Sequence, residues 1–438
     1  MAFIRIVFVL GLLFISFNIL TTAYKPLNEV ESADSIESSH GFVELLLLSR
    51  LDRKLVEDAT SSEDTELEHS LGHQRGHIFP GPRHHHGHGH HHRGHGHHHH
   101  HHHHRKPGKK HHQPRKPPPP PPTPAIRADM VVAQDGSGDF RTINEAVAAV
   151  GKLRNGGGRF TIHVKAGTYN DYVDIPYDME NVTMIGDGIG KTIITGNKSA
   201  HGNQNTVYTR TFGVLGNGFI AQGITFRNTA VDGRAVALMS QTNRSVFYRC
   251  GFEGYQDTLY INQGTQFFRE CDIYGTVDMI FGDPTAVLQQ CHIYLRRPKY
   301  NILTVVAEKR ESPDSNTGIV IQNSTITTTR ELSELIEGGS TMKIYLGRPW
   351  GNYSRTVVIS TFLENIDSEG WLGWDANPDL VYYAEFGNSG SGSSTSGRVK
   401  WKGFHVIDEH EVLQFTVKNF LQGDDWLPAT NIPYASGL

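Results

Sequence analysis

From Met130 onward, apolar residues arrive in short β-forming runs: FTIHVKAGTY from Phe160, NVTMIGDG from Asn181, KTIITG from Lys191 and FGVLGNGFIAQGITFRNT from Phe212. Gly, Asn and Asp punctuate them at turn positions, a pattern that predicts many short strands and few helices. Two stretches differ. RTINEAVAAV from Arg141 has helical spacing and predicts a short helix capping an open end, while EHEVLQFTVKNFL from Glu409 predicts a helix covering the far face of the sheet.

The runs also repeat. CGFEGYQDTLY from Cys250 superimposes on CDIYGTVDMIF from Cys271 at a constant offset of 21 residues, so Gly254 matches Gly275, Asp257 matches Asp278 and Tyr260 matches Phe281. AVLQQCHIY adds Cys291, 20 residues after Cys271, and GIVIQNSTI sets Ser324 in the Cys position. Repeats of this length, rich in short strands, are the mark of a solenoid in which each copy is one coil. A β-sandwich would share the short strands, but the coil-length period favours an all-β, right-handed parallel β-helix with short capping helices over residues 129–438. The region Leu295–Asn316 breaks the period and predicts a loop or excursion beside a cleft.

Stacked coils have chemical consequences. If neighbouring coils pair as parallel strands, matched residues stand about 4.8 Å apart, which makes Asp257 and Asp278 neighbouring carboxylates on one face. Two carboxylates that close do not both ionise easily; one pKa rises and one falls, separating a proton donor from a nucleophile or base. Stacking alone does not say which is which. The same geometry sets Cys250 beside Cys271 within the Cα separation of about 4.4–6.8 Å that a disulfide needs. A Cys250–Cys271 bridge is therefore expected, with Cys291 left over.

The first 128 residues have a different composition. Arg5 followed by the apolar run Ile6–Leu20 and the small residues Thr21–Ala23 reads as a secretory signal peptide over 1–23, since the run is shorter than the ~20 residues a spanning helix needs. Residues 24–68 form an acidic segment with one apolar island, FVELLLLSRLDRKLV. Between His69 and Ala128 there are ten Lys or Arg residues, no Asp or Glu, and 21 of the 27 histidines. Such a tract cannot build a core and is expected to be disordered, with Pro117–Pro122 as a stiff linker. Imidazoles titrate near pH 6.5, so the tract becomes a polycation in acid surroundings and could hold the protein on a polyanion. Scattered imidazoles also bind divalent transition metals, but without fixed geometry they define no site. Five N-x-S/T sequons, at Asn181, Asn197, Asn243, Asn323 and Asn352, fit a secreted chain.

Five segments carry a resemblance. GYQDTLY from Gly254, GTVDMIFG from Gly275 and LGRPW from Leu346, with GTYNDYV from Gly167 and RAVAL from Arg234, resemble the signature segments of plant pectin methylesterases. The resemblance runs in the family's order from about Val131 to Leu438. It implies a β-helical carboxylic ester hydrolase that removes methyl groups from pectin in the cell wall, releasing methanol. By the same resemblance Asp278 is the nucleophile, Asp257 the general acid and later base, Gln256 an oxyanion donor and Arg348 the cation that holds Asp278 ionised. Tyr255, Phe281 and Trp350 are candidates for stacking on sugars. No metal or organic cofactor is implied. The expected partner is methylated homogalacturonan, with electrostatic binding of pectate by the tract, and no nucleic acid or membrane; the chain is expected to be monomeric and extracellular. Relatives often carry a helical inhibitor-like domain before the enzyme, but residues 24–68 are few and lack cysteine, so none is expected.

Four positions depart from the family pattern. Relatives usually have Gln at Arg234, Phe at Met279, Asn at Asp283 and Glu at Asp171. Arg234 can donate to an oxyanion, yet a fixed cation beside two carboxylates would favour ionised Asp257, the wrong state for an acid; Asp283 would push the other way. The alternative function is accordingly a catalytically weak or inactive relative that binds pectin. Nothing in the chain matches the motifs of β-helical polygalacturonases or lyases.

Overall fold

The computed structural model describes residues 126–438. The expected signal peptide, the acidic segment and nearly all of the His-rich tract lie outside the described residues. The described strands form three sheets of 11, 7 and 8 strands, and every strand pair in them is parallel. The chain visits the sheets in turn. Ser245–Tyr248 lies in the 11-stranded sheet, Gly251–Glu253 in the 8-stranded and Leu259–Gln263 in the 7-stranded; the next coil follows with Thr265–Arg269, Asp272–Gly275 and Ile280–Gly282. This is the expected parallel β-helix.

Register explains why these residues form these coils. Phe247 pairs with Phe268, Phe252 with Ile273 and Tyr260 with Phe281, so the 21-residue offset of the sequence is one full turn. Inward positions stack like on like: Phe226, Phe252, Ile273, Ile293, Ile326 and Leu363 make one continuous interior column. Phe247 and Phe268 stack with centroids 4.8 Å apart. Burying such a side chain stabilises the fold by about 1.5–3 kcal/mol.

At one corner, five residues of left-handed backbone recur coil after coil: Arg249, Glu270, Gln290, Asn323 and Ser360, with φ between 46° and 54°. Each directly precedes a buried small residue, giving the column Cys250, Cys271, Cys291, Ser324, Thr361.

That column corrects the expected disulfide. All three cysteines are buried and free; Cys250 Sγ donates to Tyr248 O (3.5 Å) and Cys271 Sγ to Phe247 O (3.3 Å). Parallel in-register strands hold their Cβ atoms at the strand spacing and pointing the same way, whereas a bridge needs Cβ atoms converging to about 3.8 Å. Burial raises the Cys271 thiol well above its usual pKa, with hydrogen bonding to Cys250 and Cys291 adding to the effect, so the nucleophilic thiolate is suppressed. Alkylation of the denatured, unreduced protein should therefore label three thiols; a single labelled thiol would show that the column is bridged.

The cap forms as expected. Helix Ile143–Leu153 starts on a capping box of Thr142 and Glu145 and buries Ile143, Ala146, Val147 and Val150. Asp171, the shorter carboxylate of the family segment, accepts from Ile143 N at 3.1 Å, which places an anion at the helix N-terminus.

Two expectations change in detail. The Leu295–Asn316 region is not merely a loop: it contains the seven-residue strand Ile302–Glu308, which pairs with both Ile280–Gly282 and Lys343–Gly347. The expected C-terminal helix is broken into a 3-10 turn, Glu411–Phe415, and a short helix, Val417–Phe420, because extended Thr416 caps the second by accepting from Asn419 N. Val412, Phe415, Val417 and Phe420 still cover the outer face of the 11-stranded sheet, against Val287, Val320 and Val357. The amides of Gln289 and Gln322 fasten the terminus through Ala435 and Gly437.

Candidate active site

Asp257 and Asp278 occupy the same corner of successive coils, each just before a strand of the 7-stranded sheet. Both adopt left-handed backbone, with φ of 66° and 48°, a region non-glycine residues rarely enter and Asp tolerates better than most. Asp257 N donates to Val277 O at 3.0 Å, fixing one corner on the next. Both residues are about 5% exposed.

The two carboxyls have unequal surroundings. Asp278 receives two charge-assisted bonds from Arg348, Nε to Oδ1 at 2.9 Å and Nη2 to Oδ2 at 2.6 Å. Thr304 Oγ1 adds a third at 2.7 Å and in turn accepts from Asp278 N at 2.9 Å. Asp257 has no such clamp. Burial raises its pKa well above the usual carboxylate value and the charge of Asp278 raises it further; Arg234, Arg348 and the Gln256 side chain only partly offset this. The pair is thus unequal, one carboxyl held in a guanidinium fork and the other inclined to keep its proton.

Arg348 is itself kept charged. Burial disfavours its cation, but the bonds to Asp278 and the charge of that group outweigh this and raise its pKa. Its guanidinium also lies 3.8 Å from the Trp374 ring centroid.

Arg234 takes up a position between the two roles considered for it. Nη2 donates to Gly202 O (2.6 Å) and Gln204 O (2.8 Å), tying the side chain to a loop. Its field lowers the Asp257 pKa without overcoming burial, so the acid is not forced into its ionised state. Ala235 N donates to Gln256 O at 3.1 Å, stacking the Arg234 coil directly on the Gln256 coil.

Beside the carboxyls lies an aromatic platform. Tyr260 and Phe281 stack at 4.3 Å, and Trp350 leans on both at 6.5 and 5.9 Å. Val236, Met239 and Ala307 complete its apolar base, and Lys309 Nζ stands 4.5 Å from the Trp350 ring.

A family model for pectinesterases matches residues 129–424. The chain belongs to the pectinesterase family. It is 52% identical over 318 residues to Pectinesterase 2 of Citrus sinensis, a match covering 71% of this chain and 61% of that one. A putative pectinesterase/pectinesterase inhibitor 38 of Arabidopsis thaliana is 50% identical over 318 residues, covering 71% and 66%. The chain thus spans 61–66% of the length of these relatives. Among solved structures, pectin methylesterase from carrot is 43% identical with a TM-score of 0.69, covering 72% of this chain and all of that one. The enzyme from Aspergillus niger follows at 28% and 0.59, covering 70% and 97%.

Within this pectinesterase framework several expected residues sit elsewhere. Tyr255 is not part of the platform; its ring packs under the Arg296 guanidinium at 4.2 Å. Met279 points into the core and is fully buried, so the family's Phe is replaced by an interior side chain. Asp283 acts on Glu308, Lys309 and Arg310 rather than on Asp257; burial raises its own pKa. Sequence reasoning passed over Thr304, Tyr260 as a platform residue, and the contact of Trp374, one of the two aromatics of GWLGW, with Arg348. Tyr260 was within reach, since it shares the repeat position of Phe281. Thr304 carries no motif.

Proposed function

We propose that the protein is a pectin methylesterase, hydrolysing methyl esters of galacturonosyl residues to pectate and methanol. The observation that carries this reading is the unequal carboxyl pair, Asp278 clamped by Arg348 and Thr304 beside an unclamped Asp257 whose pKa burial and the neighbouring Asp278 raise. An Asp278 oxygen attacks the ester carbonyl carbon, and the oxyanion is met by Gln256 and Arg234. As the C–OCH3 bond breaks, Asp257 gives its proton to the departing methoxide, leaving methanol and an acyl-Asp278 anhydride. Asp257, now a carboxylate, takes a proton from water; the hydroxide opens the anhydride, freeing the galacturonate and restoring both groups. Phe281, Tyr260 and Trp350 offer faces for sugar rings, with Lys309 beside them for uronate charge.

Methanol release from highly methylated pectin by the purified protein tests the reading, with Asp278→Ala as the control. Release of reducing ends or unsaturated products instead of methanol, or binding without release, would overturn it. Arg234 gives a finer test. Because its charge lowers the Asp257 pKa, Arg234→Gln should move the alkaline limb of the pH profile upward, with turnover changed less than the hundred- to thousand-fold typical of losing a whole oxyanion donor. An unmoved limb would separate Arg234 from the acid.

The same reading covers the rest of the chain. The leader directs it to the cell wall, where it acts as a soluble monomer, and His69–Ala128 acts as a polycation that retains it on de-esterified pectin below about pH 6.5. Deleting 69–128 should leave activity on short soluble substrate intact and weaken retention at pH 5 and low salt, a difference that added salt erases. Equal retention of the two forms would exclude the tract as an anchor.

A further inference from the structure

A cavity of about 450 Å³ lies between the Arg355 end of the 11-stranded sheet and the C-terminal turn and helix; none of the active-site residues lines it. Its volume is within the range of small-ligand sites. Arg355 opens the strand Arg355–Ile359, and its backbone N donates to Glu308 Oε2 at 2.6 Å. Its half-buried guanidinium makes no hydrogen bond or ion pair with the described residues. Burial lowers its pKa and repulsion from Arg310 adds to this; attraction to Glu308 and Tyr382 offsets it only in part, and among the described residues the guanidinium touches no counter-ion.

The surrounding carboxyls do not supply one. Burial raises Glu308 well above the usual carboxylate pKa, which favours its neutral form. Glu411 turns its carboxylate to Asp408 N at 3.2 Å, and Asp408 accepts from His410 N and Glu411 N.

The opposite wall is built of amides and an aromatic. Gln414 Nε2 donates to Glu411 O (3.0 Å) and Asn419 Nδ2 to Leu413 O (2.8 Å). Each NH2 group has one of its two N–H donors engaged, which orients the amide and leaves its oxygen as an acceptor for hydroxyl groups. His410, Phe415 and Phe420 line it as well, with Leu413 and Asn316. One cation, two hydroxyl acceptors and an apolar wall match a polyhydroxylated ring that bears one carboxylate.

We propose that this cavity is an exosite for a de-esterified galacturonate unit, separate from the active site. The choice of galacturonate over other sugar acids rests on the pectin methylesterase reading; the cavity's preference for a uronate does not. A ligand of this kind is the reaction's own product, so the exosite would hold polymer that has already been de-esterified.

The test is calorimetric titration of the full-length protein with digalacturonate at pH 7.5, where the tract's imidazoles are largely uncharged. Two binding events are expected. Arg355→Gln should weaken one of them at least about tenfold, the scale of a charged hydrogen bond, while methanol release stays at the parent level. His410→Ala/Gln414→Ala alters only exposed residues and should weaken the same event if Arg355→Gln fails to fold. A single event in the parent protein, two events unchanged in both variants, or inorganic phosphate competing as strongly as digalacturonate would overturn the exosite. A protein that releases no methanol yet keeps the Arg355-dependent event would sink the enzymatic reading and leave the exosite standing.

Discussion

Asp257→Asn is expected to lower methanol release by about 10²- to 10⁴-fold, the usual contribution of a positioned general acid, and to remove the alkaline limb of the pH profile. Asn preserves the shape and can still donate a hydrogen bond, but it has no proton to give to departing methoxide. Stability should move the other way. The folded-state pKa of Asp257 is raised, so folding favours the protonated form: its stabilising contribution is full below the unfolded value near 3.9 and is lost as pH rises through the folded value. The Asn variant has no such loss. Denaturant midpoints measured from pH 4 upward should therefore fall for the parent and fall less for Asp257→Asn. Parallel curves, or an alkaline limb that survives the substitution, would remove Asp257 from the role of acid.

Arg348→Ala is expected to cost both activity and stability. The guanidinium closes two hydrogen bonds on a carboxylate that is 7% exposed, while being 21% exposed itself. Removing one partner leaves a buried carboxylate without its counter-charge, a loss of about 3 kcal/mol or more, taken at the low end because the cation is partly solvated. Asp278 then gains stability by taking a proton, which silences it as a nucleophile, and methanol release should fall at least about 10³-fold. Arg348→Lys should recover little activity, since a single ammonium cannot span both carboxylate oxygens in the same plane. Comparable activity in the Lys variant would mean that charge alone matters and that the fork geometry does not.

The coil and the carboxyl pair were legible because both are written in one number. An offset of 21 residues between Cys250 and Cys271 fixes the pairing of Tyr260 with Phe281, and hence of Asp257 with Asp278. Thr304 was not legible for the converse reason. It belongs to the strand Ile302–Glu308, reached after the irregular stretch beyond Leu295, where the spacing of the repeat is lost. The cysteines show a different limit. Sequence placed Cys250 and Cys271 correctly as neighbours, but the distance between Cα atoms does not decide a bridge; the common direction of the two side chains does. Arg234 was recognisable as a departure, whereas its anchoring to Gly202 and Gln204 depends on a loop 30 residues away in sequence.

The order of strands in the 7-stranded sheet has a consequence for how the molecule comes apart. Leu259–Gln263 and Ile280–Gly282, which carry the two carboxyls at their starts, are the fourth and third strands counted from the Lys343–Gly347 edge, and three more lie beyond them toward Val173–Ile175. A stacked array melts by fraying, one coil at a time from an open end, since each coil is held chiefly by its immediate neighbours. Opening at either end must pass through several coils before it reaches Asp257 or Asp278. Transient breathing of the termini therefore leaves the carboxyl pair intact, and the pair is lost only when the middle of the stack gives way.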